Sequence, residues 1–357
     1  MATPDIIERV ELIRNKINEL ILRFLEIDFD GELEWHREDA SQNNVAIGVD
    51  SSYTSRIFKF AYLYLVRGVA IPYSSSTDLR SCLVSDSDGD VHFLAVPGVD
   101  AEKGFRSPSP PIRELKKISS HKSKDIEIEL GYKAYLCVND FVDEEDIIIL
   151  MDRSGRGFLP YRFKKEDESS LQEFYRPLKE SWRRRIIIIK ELSRENNLIF
   201  ISKTQTRTYY NEKLMPYISH EDKKINILVP DVILIDEYFR RKGVFKEGVR
   251  EPGFSDPVVY NMREKILEDE DIKHVTIFYA VFRRGGGMYQ ISLVGDYFNK
   301  TDLLREIFRK IMFWNPGGYP EPLREAHHMA KISYKDFQKL LYIYGINLET
   351  GREVLEL

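Results

Sequence analysis

The sequence predicts an α/β fold, one sheet with helices packed on its faces. Three observations predict it. Two short runs, "DIIILMD" at 146–152 and "NLIFISK" at 197–203, are apolar along their length, as strands buried on both faces are. Stretches between them carry apolar residues at helical spacing, among them Leu171, Phe174, Leu178 and Trp182. The elements run β-β-β-α-β-α-β, with short connections in the later part, which suits a mostly parallel sheet.

Along the chain, Ile6, Val10, Ile13, Ile17, Leu20 and Phe24 recur every three or four residues, giving an amphipathic helix over 5–27. Its apolar stripe is expected to join an intramolecular core, with a subunit contact as the other use. The polar break "DFDGELEW" follows, and then three β-rich runs at 45–50, 56–66 and roughly 69–96. "RGVAIP" reads as a turn between extended pieces and "SDSDGD" at 85–90 as a turn between strands. The latter resembles part of a calcium loop, but the bidentate Glu that would close one is missing. A Pro/Ser/Lys-rich connector at 107–125 leads into a helix over about 111–139, and a second helix covers about 169–195. Residues 205–260 read as an insertion containing the β-like "INILVPDVILI". Strands at 274–282 and 288–296, joined by "RRGGG", form a hairpin. Helices at about 301–313, 321–331 and 334–344 close the chain. Residues 1–44 are thus an N-terminal helical segment, and 45–357 one α/β unit with an insertion.

Composition narrows the function. The chain has 357 residues, 43% hydrophobic and 31% charged, enough for a sizeable core. A formal net charge of -5 means that any polyanionic partner is met by local basic patches. Four segments offer Arg beside aromatic residues: "WRRRIIIIK" at 182–190, "TQTRTYY" at 204–210, "FRRKG" at 239–243 and "FRRGGG" at 282–287. Cys82 and Cys137 are too few for a disulfide framework or a cysteine zinc site. No stretch approaches the ~18 apolar residues of a membrane span, and the start lacks a secretory segment and cleavage site. The expected setting is cytoplasmic, without a membrane.

The informative polar residues sit where apolar runs end. Asp50 closes "AIGVD" and Asp152 closes "IIILMD". A single such Asp is commonly a turn or cap residue. Two of them beyond the carboxyl ends of neighbouring strands lie where open α/β sheets bind ligands. Close carboxylates repel unless a proton or cation sits between them, and a hard divalent metal with oxygen ligands is the simplest solution. The preceding helix offers Glu127 and Glu129, which flank the core stripe Ile126, Leu130, Ala134 and Cys137, and the spacing does not choose between them. Lys203, at the tip of "IFISK", would steady a phosphate or a developing charge. The segment "NPGGYPEPLREAHHMAKIS" at 315–333 sets a stiff Gly/Pro element before a helix, presenting Tyr319, Glu325, His327 and His328. Two adjacent helical histidines diverge by about 100°, so they rarely share one metal.

Taken in order, "GVDSS" at 48–52, "ILMDRSG" at 149–155, "FISK" at 200–203 and "GGYPEPLREAH" at 317–327 resemble the NurA family of nucleases. The resemblance implies an RNase H-like mixed sheet flanked by helices, with inserted elements and a helical C-terminal region, assembled as a homodimer. It implies a Mn2+-dependent (or Mg2+-dependent) deoxyribonuclease that degrades DNA 5′ to 3′, with room for single-strand endonuclease activity. A HerA-type hexameric ATPase would be its partner in DNA end resection and double-strand break repair. Carried over residue by residue, it implies Asp50, Glu129, Asp152, Tyr319 and His327 as the active site, with Lys203 beside them. Asp50, Glu129 and Asp152 would hold the metal, with Glu127 in reserve for Glu129 and His327 as a further ligand. Many members carry Asp-Gly-Ser after these strands; Asp50-Ser51-Ser52 and Asp152-Arg153-Ser154 keep the serine and lose the glycine. The competing expectations are a non-catalytic DNA-binding or ATPase-regulating subunit on the same fold, and an RNase H-like enzyme acting on RNA.

Overall fold

The computed structural model describes residues 9–16, 29–40, 44–57, 61–93, 112–158, 172–194, 197–203, 207–214, 229–262 and 272–343. Its centre is a ten-stranded sheet. The strands are β1 (Trp35–His36), β2 (Val45–Ile57), β3 (Ala61–Ser74), β4 (Val84–Phe93), β5 (Ile147–Met151), β6 (Leu198–Ser202), β7 (Gly253–Ser255), β8 (Val258–Asn261), β9 (His274–Val281) and β10 (Met288–Val294). They are ordered β1-β7-β9-β10-β6-β5-β2-β3-β4, with β8 also pairing β9. Helices are α1 (9–16), α2 (Ile112–Asn139), α3 (Gly155–Phe158), α4 (Gln172–Ser193), α5 (Asn211–Leu214), α6 (Asp231–Arg241), α7 (Thr301–Phe313), α8 (Glu321–Ala330) and α9 (Tyr334–Ile343).

The sheet is mixed rather than mostly parallel. Among the named strands, β2, β5 and β6 run parallel to one another, and every other pairing is antiparallel. The period-two alternation of strand side chains separates two cores. Ile47, Val49, Ile149 and Met151 pack with Ile126, Leu130 and Ala134 of α2 and Ile186 and Ile189 of α4. Ala46, Ile148, Leu150, Ile199 and Ile201 pack on the other face with Leu304, Ile307 and Phe308 of α7 and Leu323 of α8. Helix, sheet and helix therefore form three layers.

Several expectations change. β2 does not stop at Asp50 but continues to Ile57, because its far half pairs with β3 throughout. "RGVAIP" and "SDSDGD" are strand, within β3 and β4, for the same reason. The "DVILI" part of the β-like segment is helical: Leu234, Ile235, Tyr238 and Phe239 recur at helical spacing and are buried. Residues 225–228 of that segment lie outside the described residues. In α1 the apolar Val10, Leu12 and Ile13 are exposed, so the described part of the amphipathic N-terminal helix covers no core. Residues 205–260 supply α5, α6, β7 and β8, and β1 joins the sheet through β7. Cys82 and Cys137 form a single disulfide, a pairing the sequence reading did not anticipate and which is not a framework.

Candidate active site

The parallel pairing of β2 and β5 aligns Val49 with Met151. The next residues on the two strands, Asp50 and Asp152, therefore emerge side by side. By strand alternation Asp50 follows Ala46 and Gly48 onto the face covered by α8. Gly48 makes that contact close: a Cβ there would stand 2.1 Å from the Pro322 carbonyl oxygen. With α8 seated on β2, His327 Nδ1 reaches to 2.7 Å from Asp50 Oδ2. One donor atom each from Asp50, Asp152 and His327 lie within 4.8 Å of one another. They line a cleft of about 590 Å³, together with Lys124, Arg153, Lys203 and Arg207.

Lys203 caps β6 beside this trio. Its Nζ lies 2.8 Å from Asp152 Oδ2 and 4.0 Å from the centre of the Tyr319 ring. Tyr319 is set by the turn before α8, where Gly318 takes φ of 89°, a region that favours glycine. It packs on Tyr289 at 5.5 Å. Burial, and then the neighbouring Asp152, push the Tyr319 hydroxyl well above its ordinary pKa, so it is a neutral donor. Burial, then the charge of Glu127, raise the Asp50 carboxyl to about 6, although His327 pulls the other way. A buried acid beside a second acid favours an added positive charge, a proton or a cation. Two carboxylates and an imidazole are a donor set suited to a divalent ion of the manganese or magnesium kind.

The structure separates the two candidate glutamates. Glu127 points to the cleft end of α2 and is buried, accepting from Arg153 Nε at 2.8 and 2.7 Å and from Ser51 Oγ at 2.6 Å. Glu129 is partly exposed and pairs with Arg184 of α4 at 3.2 Å, so it does not line the cleft. Of the two, Glu127 is the one bonded to residues of the cleft wall, through Ser51 and Arg153, while Glu129 faces α4. Two residues along a helix turn the side chain by about 200°, and only one of the pair can face β2.

Sequence reasoning missed Arg153 and Lys124. Lys124 donates to the Gly157 carbonyl at 2.5 Å, and burial, with Arg185 and Arg153 nearby, lowers its pKa to about 8. A signal existed for it: Ser120, Ser123, Lys124 and Glu127 share one helical face, a polar stripe beside an apolar one. Among the described residues of the Arg-rich segments, only Arg207 of "TQTRTYY" lines the cleft. Arg185 is buried against Asp125 at 2.5 Å, Arg184 is held by Glu129, and Arg240 and Arg241 by Glu237. Arg284 pairs with Glu251. A second trio, Glu34, His36 and Asp256, fastens β1 to the end of β7: His36 Nε2 lies 2.8 Å from Asp256, with Lys213 supplying a cation at 3.8 Å.

Comparison with known proteins places this geometry. The family model described as NurA domain matches residues 44–332. A curated relative, the DNA double-strand break repair nuclease NurA of Pyrococcus furiosus, is 27% identical over 161 residues. That alignment covers 43% of this chain and 32% of the relative, so the chain spans about a third of its length. The crystal structure of the NurA nuclease from Sulfolobus solfataricus superposes with a TM-score of 0.59 at 16% identity, covering 97% of this chain and 98% of that one. A crystal structure of NurA bound to dAMP and manganese superposes with a TM-score of 0.56 at 15% identity, covering 99% and 100%. At these identities the superpositions show a shared fold.

Proposed function

The chain belongs to the NurA family, and on that premise we propose that it is a divalent-metal-dependent deoxyribonuclease acting at broken DNA ends. The observation that carries the reading is the convergence of Asp50, Asp152 and His327 in one cleft, with Lys203 against Asp152. Relatives named as a double-strand break repair nuclease, and as bound to manganese and dAMP, support it.

Asp50, Asp152 and His327 would hold Mn2+ or Mg2+. When bound, such an ion supplies Lewis acidity, lowering the pKa of a water and offsetting charge on the phosphate. Lys203 and Arg207 offer fixed positive charge to the DNA backbone. Tyr319, neutral and turned toward Asp152, orients a phosphate oxygen or the attacking water by donating its hydroxyl proton in a hydrogen bond. His327, half in solvent, is also placed to give a proton to the leaving oxygen.

The finer reading follows the family resemblance: an RNase H-like core, 5′-3′ exonuclease action with room for single-strand endonuclease cleavage, a HerA-type hexameric ATPase as partner, and a cytoplasmic homodimer. We take 45–357 as the nuclease unit, with an insertion at 205–260 and a helical lead at 1–44. The exposed Val10, Leu12 and Ile13 of α1 support a subunit contact. No helix among the described residues is long and apolar enough to cross a membrane. A non-catalytic subunit would have no use for this convergence of acids and imidazole.

The test is nuclease assay on end-labelled DNA in Mn2+. Asp50→Ala and Asp152→Ala should each lose roughly 100-fold or more, and EDTA should abolish wild-type cleavage. A folded Asp50→Ala variant that cuts at the wild-type rate overturns the reading.

A further inference from the structure

Resting on the metal-dependent reading above, we propose that Arg153 fills the place of a second metal ion, leaving this cleft a one-metal site in which Glu127 binds a guanidinium instead of a metal ion. Three observations carry it. Strand alternation divides the acids between the two faces of the sheet. Asp50 turns toward α8 and His327, whereas Ser51 turns toward α2, where its Oγ donates to Glu127 at 2.6 Å. Glu127 is therefore outside the trio of Asp50, Asp152 and His327 that shares one point.

The second observation is saturation. The Glu127 side chain is 1% exposed. Arg153 Nε lies within 2.8 Å of both its oxygens, and Ser51 takes one of them again. The other end of the guanidinium donates to Ser123 Oγ at 2.6 Å, which fixes the fork in place. Arg is charged at every working pH, and its Nε–H is shared between both carboxylate oxygens while Nη2 is anchored on the serines, so this charge-assisted pair competes well with a metal ion. The third observation is charge. With Glu127 and Arg153 cancelling, the cleft sets Asp50 and Asp152 against Lys124, Lys203 and Arg207, and one divalent ion already adds two positive charges to that balance. A second ion would add two more positive charges beside a guanidinium. Arg153 lines the cleft wall, so its charge is presented to the phosphate from a fixed position. Two-metal sites bring their ions to about 3.5–4 Å through shared carboxylates; here the carboxylate for the second ion is occupied.

Stoichiometry tests this without reference to activity. Mn2+ titration by calorimetry, with the Asp50→Asn variant as the baseline for sites elsewhere, should count one ion per cleft in wild type. Electron paramagnetic resonance at saturating Mn2+ should show isolated rather than spin-coupled ions. Glu127→Gln should keep that one ion, while Arg153→Ala, with Glu127 released, should take up a second. Two ions in wild type, a spin-coupled signal, loss of an ion in Glu127→Gln, or a folded Arg153→Ala that still counts one each overturns the inference and leaves the nuclease reading standing. Should Arg153→Ala fail to fold, wild type and Glu127→Gln decide. Absence of any Mn2+ binding in wild type overturns both readings at once.

Discussion

Asp50 and Ser51 are neighbours in sequence with opposite allegiances. Asp50 meets a helix from the C-terminal region, and Ser51 meets α2 on the other side of the sheet. The gathering of Asp50 and Asp152 at neighbouring strand ends was legible in the sequence, but this alternation was not, because the strand was expected to end at Asp50 and in fact runs on through Ser51 to Ile57. The choice between Glu127 and Glu129 was not legible either, because both flank the core stripe of α2 and the helical period treats them alike. What separates them is Arg153 on one side and Arg184 on the other, contacts of 26 and 55 positions in sequence that no local pattern carries. Glu129→Gln removes only a partly exposed ion pair, worth about 0.2–1 kcal/mol. Its cleavage rate in Mn2+ should match wild type within experimental scatter. A large loss in that variant would return Glu129 to the cleft.

At the scale of elements, the placement of α8 decides whether His327 meets Asp50. The close approach rests on Gly48, whose missing side chain admits the Pro322 backbone. Gly48→Ala should push α8 outward at a cost of about 1–3 kcal/mol, as overpacking does. Weaker Mn2+ binding should accompany the lower melting temperature, since His327 would be drawn from Asp50. An unchanged melting temperature and affinity would show that α8 is not seated by this contact. Helix α6 carries a different signature. Sequence reading took "VILI" as strand because four β-favouring residues run together, yet Asp231 after Pro230 opens a helix whose buried face repeats at 234, 235, 238 and 239. Asp231 accepts from the Tyr209 and Tyr210 amides at 2.8 Å and from the Tyr279 hydroxyl at 3.0 Å. Burial outweighs these bonds and raises its pKa from 3.8 to about 6. The folded chain therefore holds a proton there that the unfolded chain has released, and stability from this group falls as pH rises from about 4 through 6. The full difference is on the order of 3 kcal/mol. Urea unfolding at pH 4, 5, 6 and 7 should show a shallower decline in Asp231→Asn than in wild type. Equal slopes would mean that Asp231 is ionised in the fold across this range.

For the whole molecule, the three-layer plan was readable because apolar strands and amphipathic helices alternate, while the full lengths of the antiparallel β2 and β4 were not, since the far half of β2 and most of β4 carry polar residues. The pairing of Cys82 with Cys137 was equally hidden: a count of two says nothing about distance, and only the packing of α2 across β3 and β4 brings their Cα atoms to 5.6 Å. The bridge matters to the cleft because α2 also carries Ser123, Lys124 and Glu127. It closes a loop of 55 residues in sequence, joining the turn after β3 to the last turn of α2. Limiting the unfolded chain by a loop of that length stabilises by about 4 kcal/mol in the chain-entropy account, and by about 2–4 kcal/mol in typical measurements. Thermal melting with and without a phosphine reductant should therefore show a lower midpoint on reduction. Cys137→Ser should melt near the reduced wild type and ignore the reductant, which separates the bridge from other effects of reducing conditions. If wild type melts identically in both states while mass measurement confirms reduction, the cross-link does not hold α2 to the hairpin, and packing alone positions Glu127 under Arg153.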